Sequence, residues 1–461
     1  METITIAEIL SAIKGRFLAG NENEVVGGIS VDTRTLREGD LFFALAGQND
    51  GHRFVKEALR KKALGVVISK NVAMHSAKGS IVLVDDTLQA LQDLAKYYLE
   101  KMGLPVIGIT GSNGKTTTKE LLKAVLSQGK NVYANPGNFN NHIGLPLSIF
   151  GIKKADDYCV LEMGANHQGE IKNLAQICHP KIGVITNIGD AHLGCFGSRE
   201  AILRTKMELL QSLPADGFAV INGDDVFLKR ARKDIPCPYF TFGKYADVDL
   251  RAHSIRDGEE GTNFIVSFGN NDYPVRASLP GEFNVENILA AVCVGWRLNI
   301  EIKKIIWAIN NFRIPVQRMN LISLPNDVKV VDDSYNANPK AMRSAIAGFI
   351  RIFPQREKFL VLGDMLELGE FSDEEHQALG GFAASLPVAG IFFYGKEMSS
   401  AAKAAEKKTG CPVFWTENKI ELLGKLKEFL HPGSAFFIKA SHDMHLEEVV
   451  EEMTKTVEHR S

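Results

Sequence analysis

Residues 106–126 read VIGITGSNGKTTTKELLKAVL, and their interpretation decides the fold. The apolar run 106–110 predicts a buried strand, while Leu121, Leu122, Val125 and Leu126 recur at helical spacing. Gly111 and Gly114 therefore fall at a strand-to-helix turn, the setting a phosphate-binding loop requires. The loop is a shortened one. In the common pattern a glycine stands about five positions before the Gly-Lys-Thr, but Ile109 occupies that place and Gly111 substitutes for it. Through Gly111, Ser112, Asn113 and Gly114 the backbone N–H groups can face phosphate oxygens. The helix start at Lys115, Thr116 and Thr117 adds its positive dipole. Lys115 reaches the outer phosphates and Thr116 supplies a hydroxyl for magnesium.

Outward from this stretch the strand–loop–helix pattern repeats in YCVLEMG (158–164) and KIGVITNIG (181–189), which predicts a parallel sheet with helical crossovers. Loops after successive parallel strands emerge along one edge. Glu162 and His192 are thus expected beside Thr116, a carboxylate and an imidazole suited to cation binding. Residues 240–280 change to alternating polar and apolar residues broken by Asp-Gly and Gly-Asn, so antiparallel strands should extend the sheet's edge. Before residue 102, short apolar runs such as ALGVVIS alternate with helical stretches such as LQALQDLAKYYL. After NNFRIPVQRM the alternation resumes with VKVVDDS, KFLVLGD, AGIFFYG and AFFIKAS. At roughly 100 to 200 residues per domain, 461 residues suit three domains, placed at 1–102, 103–313 and 314–461.

Composition removes other classes. The 53 basic and 55 acidic residues nearly cancel, so no strong field favours nucleic acid or an anionic membrane. Six scattered cysteines without a Cys-x-x-Cys pair predict reduced thiols rather than disulfides or zinc. No secretory signal or apolar span of about 20 residues is present, so a cytoplasmic protein without membrane insertion is expected.

Taken in order, TGSNGKTTTKELL, NPGNFNNHIGLPLSIF, LEMGANHQGEI, TNIGDAHLGCFGSREAILRTKMEL, DDSYNANPKAM and VLGDMLELGEFSDEEH closely resemble the Mur ligases of peptidoglycan synthesis. The shortened loop is also a feature of that family and of folylpolyglutamate synthase. The resemblance implies an α/β chain of three domains: an α/β N-terminal domain that binds a UDP-sugar, a central P-loop-type parallel-sheet ATPase domain with an antiparallel edge, and a Rossmann-like C-terminal domain that closes over ATP. It implies ligation through an acyl phosphate, with ATP and one or two Mg2+ ions. The implied substrates are UDP-N-acetylmuramoyl-tripeptide and D-alanyl-D-alanine; separately, a monomer is expected.

By the same resemblance, Asp32, Thr33, Arg34, Phe43, Gly47, Gly51 and His52 match the UDP-sugar site. Asn138, Asn140 and Asn141 match the substrate side of the cleft, and Asn284 and Asn287 the adenine contact, although Asn284 also reads as a helix cap. Lys206 would ordinarily be a solvated helical lysine. Here it matches the lysine that carbon dioxide converts to a carbamate, replacing a cation beside magnesium with an anion. Arg318 matches the arginine that reaches the γ-phosphate, for which a guanidinium fork is suited. Asp333, Ser334, Tyr335, Asn336 and Asn338 match the ribose and cleft-closing segment, with Pro339 at the next helix's first position. Asp364, Glu367 and His376 are candidates for the amine side. Relatives commonly read Lys-Gly-Ser-Arg near the C-terminus, where this chain has Lys439, Ala440, Ser441 and His442. Two rivals stand beside this reading: another amide ligase of the same architecture, and a nucleotide-switched binding protein.

Overall fold

The chain is described by a computed structural model covering residues 1–47, 49–70, 79–190, 193–245, 247–269, 271–313, 319–366 and 368–458, with backbone alone at 193 and 456–458. Its strands form three sheets. The central one has nine strands, in the order Val132–Ala134, Tyr158–Glu162, Val106–Thr110, Ile182–Ile185, Phe218–Asn222, Tyr239–Gly243, Leu250–Gly258, Gly261–Phe268 and Asn271–Ala277. Pairing is parallel from Val132–Ala134 to Leu250–Gly258. It turns antiparallel over the last two strands, as the alternating sequence there predicts.

Strand Val106–Thr110 lies between Tyr158–Glu162 and Ile182–Ile185, so the chain winds away from it in both directions. The loop that follows it thus opens at a switch point, where crossover connections part and leave a crevice. Helix Lys115–Leu126 leaves the loop and buries Leu121, Leu122, Val125 and Leu126. It packs against helix Glu282–Arg297, where Gly295 permits close approach: a Cβ there would stand 2.5 Å from Val125 Cγ1 and 3.2 Å from Ile305 Cδ1.

The first sheet has the order Arg16–Ala19, Ser80–Leu83, Gly65–Ile68, Asp40–Phe43 and Gly28–Ser30. Helix Thr87–Met102, capped by the Asp86 carboxylate and ended at Gly103 with φ 68°, joins it to the central sheet. One face of that helix lies in a continuous core with Ile9, Leu41 and Val67 of the first sheet's layer and Leu145, Ile149 and Leu161 of the next. The Tyr98 hydroxyl donates to Ile152 O at 2.8 Å and accepts from Glu2 N at 2.7 Å, so its polar end is satisfied inside the seam.

The third sheet runs Asn320–Leu324, Val328–Asp332, Ser434–Lys439, Glu357–Gly363, Gly390–Tyr394 and Val413–Thr416, parallel except at its first pair. Strands 320–324 and 413–416 are too short and too little patterned to stand out in sequence. Pro339 opens helix Pro339–Ile352 with Asn338 as its N-cap, the arrangement its fixed φ favours. The capping role for Asn284 is corrected: Gly281 precedes helix Glu282–Arg297, and Asn284 sits inside the first turn, its amide donating back to Pro280 O at 2.8 Å. No described helix is long and apolar enough to cross a membrane.

Replacing Gly295 by valine should force the two helices behind the loop apart and lower stability by about 1–3 kcal/mol. Urea denaturation will read this as a lower midpoint at unchanged slope.

Candidate active site

Gly111 and Gly114 hold φ of 148° and 80°, in the left-handed region where a side chain is strained. Space forbids a Cβ as well. On Gly111 it would overlap Thr186 Oγ1, and on Gly114 it would overlap Asn287 Oδ1. The loop between them is fastened from the neighbouring strand's end. Asn113 N donates to Asn187 Oδ1 (3.0 Å), Thr186 Oγ1 donates to Asn113 O (2.6 Å), and Gly189 N donates to Ser112 Oγ (2.8 Å). Lys115 Nζ lies over the loop, donating to Gly111 O at 2.9 Å and to Ser112 O at 3.3 Å.

The Glu162 carboxylate is 2 % exposed. Thr116 Oγ1 donates to one of its oxygens at 2.7 Å and Asn140 Nδ2 to the other at 2.7 Å. Among the described residues its hydrogen-bond donors are these two neutral side chains, and no lysine or arginine forms an ion pair with it. A buried negative charge is costly unless a cation answers it. The hard oxygens of Thr116 and Glu162 are the donor type magnesium takes, so the residues present fit that ion.

Lys206 reaches the same region from helix Arg199–Gln211, buried at 2 % exposure. Burial, with the like charge of Lys115 nearby, lowers its pKa to about 7. Its Nζ lies 5.8 Å from the Phe196 ring centroid. No carbonyl or carboxylate among the described residues accepts a hydrogen bond from it.

Around the phosphate loop and Glu162 opens a cleft of about 970 Å³, whose lining does not include Lys206. It is lined by Ser112 to Thr117, by Asn138, Asn140 and Asn141, and by Glu162, Asn284 and Asn287. From the third sheet's domain come Asp333, Tyr335, Asn336 and Asn338. The two halves touch: Asn338 Nδ2 donates to Asn113 Oδ1 at 2.7 Å, and Lys340 Nζ reaches Ile188 O at 3.4 Å. Lys439 Nζ, 2.6 Å from both Asp333 Oδ2 and Asn336 O, holds the cleft-closing segment.

Other expected residues are elsewhere. Asp32, Thr33, Arg34, Gly47 and His52 sit on the first sheet's loops and do not line this cleft. Asp32 pairs with the exposed Arg34. His52 is buried, its Nδ1–H donating to Asp50 Oδ1 at 2.7 Å and its Nε2 accepting from Ser69 N at 3.0 Å, so its ring braces the loop. Asp364 and His376 are corrected as amine-side candidates. Asp364 accepts from Met398 N at 2.8 Å, and His376 bridges Met365 N and Ser372 O with no exposed surface, so both stabilise turns. His192, Arg318 and Glu367 lie outside the described residues.

Asn187 and the group Asn222, Lys244, Glu282 and Glu286 also line the cleft, beyond the residues expected from sequence. Lys244 Nζ is 3.1 Å from both Glu282 and Glu286, and Asn222 Nδ2 donates to Glu286 at 3.1 Å. Asn222 ends a parallel strand and Asn187 and Lys244 each follow one, so the shared-edge rule that found Glu162 applies equally to them. The C-terminal departure is accommodated in packing. Ala440 is fully buried against Gly363, where a Cβ would stand 2.6 Å from that of Ala440, so a glycine opposite makes the room. His442 lines the cleft with its ring 5.4 Å from that of Tyr335.

Lys206→Met should stabilise the unliganded protein most below pH 7. There the wild-type lysine is charged in both states but buried only when folded. As pH rises from about 7 to 10.5 the folded state is neutral while the unfolded state still binds the proton, so wild-type stability climbs and the difference shrinks. Denaturation midpoints at pH 6 and pH 9.5 will check this.

Comparisons with known proteins agree with the geometry. The Mur ligase middle domain family matches residues 109–295, and the Mur ligase glutamate ligase domain family matches residues 317–442. A UDP-N-acetylmuramoyl-tripeptide–D-alanyl-D-alanine ligase from Bacillus subtilis (strain 168) is 36% identical over 456 residues, covering 98% of this chain and 98% of the relative. A crystal structure of MurF from Acinetobacter baumannii superposes with TM-score 0.90 at 31% identity, over 99% of each chain. One of MurF from Thermotoga maritima in complex with ADP gives 0.84 at 32%, over 94% of this chain and 98% of that one.

Proposed function

Because the chain belongs to the Mur ligase family, we propose that it joins D-alanyl-D-alanine to UDP-N-acetylmuramoyl-tripeptide, converting ATP to ADP and phosphate. The observation that carries the reading is the cleft in which the phosphate loop, the buried Glu162 and residues of the third sheet's domain face one another, closed at one point by Asn338 on Asn113. A nucleotide-switched binding protein has no use for the UDP-sugar and cleft-closing segments that accompany this loop. The domains are taken as 1–102, 103–313 and 314–461, acting as a monomer in the cytoplasm.

A carboxylate is a poor electrophile, so the tripeptide's terminal carboxylate first attacks the γ-phosphorus of ATP. The new O–P bond forms as the bond to the β-phosphate oxygen breaks, and ADP leaves. The dipeptide's neutral amine then attacks the acyl carbon. Its N–C bond forms as the C–O bond to phosphate breaks, and the amine's proton passes to solvent. Both steps need positive charge around the phosphoryl oxygens and exact placement of the reactants.

Backbone N–H groups of Ser112 to Thr116 receive the phosphates at the helix start. Lys115 exchanges the loop carbonyls for the outer phosphates, and Arg318 supplies a second fixed charge. Thr116 and Glu162, with His192 by the family's pattern, would hold magnesium, which would offset the phosphate charge. Lys206 is taken as the carbamate-forming residue: an amine with pKa near 7 is substantially neutral and nucleophilic toward carbon dioxide at cellular pH. Its carbamate would replace a cation beside Lys115 with a metal-binding anion. Asn284 and Asn287 lie on the adenosine side with Asp333, while Asn138, Asn140, Asn141, Asn336 and Asn338 face the peptide. Asp32, Thr33, Arg34, Gly47 and His52 form the UDP-sugar site on the first sheet.

Phosphate release should require both the UDP-linked tripeptide and D-alanyl-D-alanine, with mass spectrometry showing the UDP-linked pentapeptide. Turnover indifferent to the dipeptide, or equal with a single amino acid, contradicts the reading. Lys115→Ala should remain folded by circular dichroism and lose turnover by at least about a thousandfold, as expected when a phosphate-stabilising charge is removed.

A further inference from the structure

One buried charge has no part in this mechanism. Lys119, one turn along the helix from Lys115, has no exposed surface. Its Nζ donates to Asn135 O at 2.6 Å and to Gly137 O at 3.4 Å, with Glu120 at 3.2 Å. A lysine is rarely buried so completely unless its hydrogen bonds do something a smaller residue would not. The two carbonyls belong to the turn leading into Asn138–Asn141, the wall of the cleft. They bring the acceptor end of that turn onto one cation.

Asn135, also without exposed surface, ties the same turn to the strand beside it. Its Oδ1 accepts from Glu162 N at 2.9 Å, and its Nδ2 donates to Phe139 O at 2.7 Å and to Glu162 O at 3.2 Å. The turn ends in Asn140, whose backbone O accepts from Gly164 N at 2.8 Å and whose amide donates to the Glu162 carboxylate. An unbroken chain of hydrogen bonds therefore runs from Lys119 through the 135–140 turn to both the backbone and the carboxylate of Glu162.

We propose that Lys119 and Asn135 are positioning residues: the buried ammonium clamps the 135–140 turn so that Asn140 aims the Glu162 carboxylate at the cation site and the asparagine wall at the peptide substrate. Charge-assisted bonds to carbonyls are about twice as strong as neutral ones. Without them the turn keeps its fold but loses the fixed aim of its last residues.

The choice of probes rests on the ligase reading, and wild-type protein run in parallel separates the two: wild type that binds neither probe sinks that reading, not this one. In Lys119→Met, calorimetric binding of the UDP-linked tripeptide should weaken about tenfold. The Mg2+ concentration that half-restores ADP binding should rise similarly, while ADP affinity at saturating Mg2+ stays within about twofold. In turnover the loss should fall on KM for the UDP substrate rather than on KM for ATP. Asn135→Asp, which keeps the acceptor and removes the two donations, should reproduce the split. Should the methionine variant not fold, Lys119→Arg carries the same test, because it keeps the charge but spreads its donors over a longer, planar group. A uniform fall in kcat with unchanged half-saturation for tripeptide and Mg2+, or wild-type values throughout, overturns the proposal.

Discussion

Everything in this molecule follows from the need to bring several backbone N–H groups to one point with no side chain in the way. At Gly111 and Gly114 both the sign of φ and the closeness of Thr186 and Asn287 demand glycine. The turn they make is short and would be loose if left to itself. It is held by hydrogen bonds from the 186–189 segment, which starts from the next parallel strand. The adjacency of those two strands is what makes the loop a rigid phosphate receptor rather than a flexible glycine turn.

A second constraint is electrostatic. Lys115, Lys206 and Glu162 are brought into one partly or fully buried region. Glu162 is satisfied by Thr116 and Asn140, both neutral, while Lys206 is left to lose its proton. A buried carboxylate bonded by two neutral donors, beside a buried lysine whose pKa falls to about 7, is poor for stability and well suited to receiving a metal ion and a highly charged nucleotide. The tension between folding and function is concentrated in these few side chains, and the cores around them are apolar and close-packed.

The third sheet's domain contributes by approach rather than by chemistry alone. Asn338 caps its own helix and at the same time touches Asn113 of the phosphate loop. Tyr335 and His442 form part of the opposite wall. Ala440 is accommodated by Gly363 across the sheet, while its cleft-facing neighbours bond on either side: Lys439 donates to Asp333 and Ser441 accepts from Leu366 N.

Much of this was legible in one dimension because the signals are local. Apolar runs of buried strands, the glycines of a tight turn, the helical spacing after Lys115 and the Asp-Gly punctuation of the antiparallel edge each depend on neighbours a few residues away. Parallel strands that share one edge place Glu162 beside Thr116, as their order in the sequence predicts. Other features could not be read this way. That Asp364 accepts from Met398 N and that Lys119 is buried against the carbonyls of Asn135 and Gly137 depend on contacts between segments distant in sequence. Side-chain identity and spacing along the chain specify which turns and helices form. Burial, hydrogen-bond partners and the pKa of Lys206 arise only when distant segments exclude water from one another, and so they belong to the packed structure.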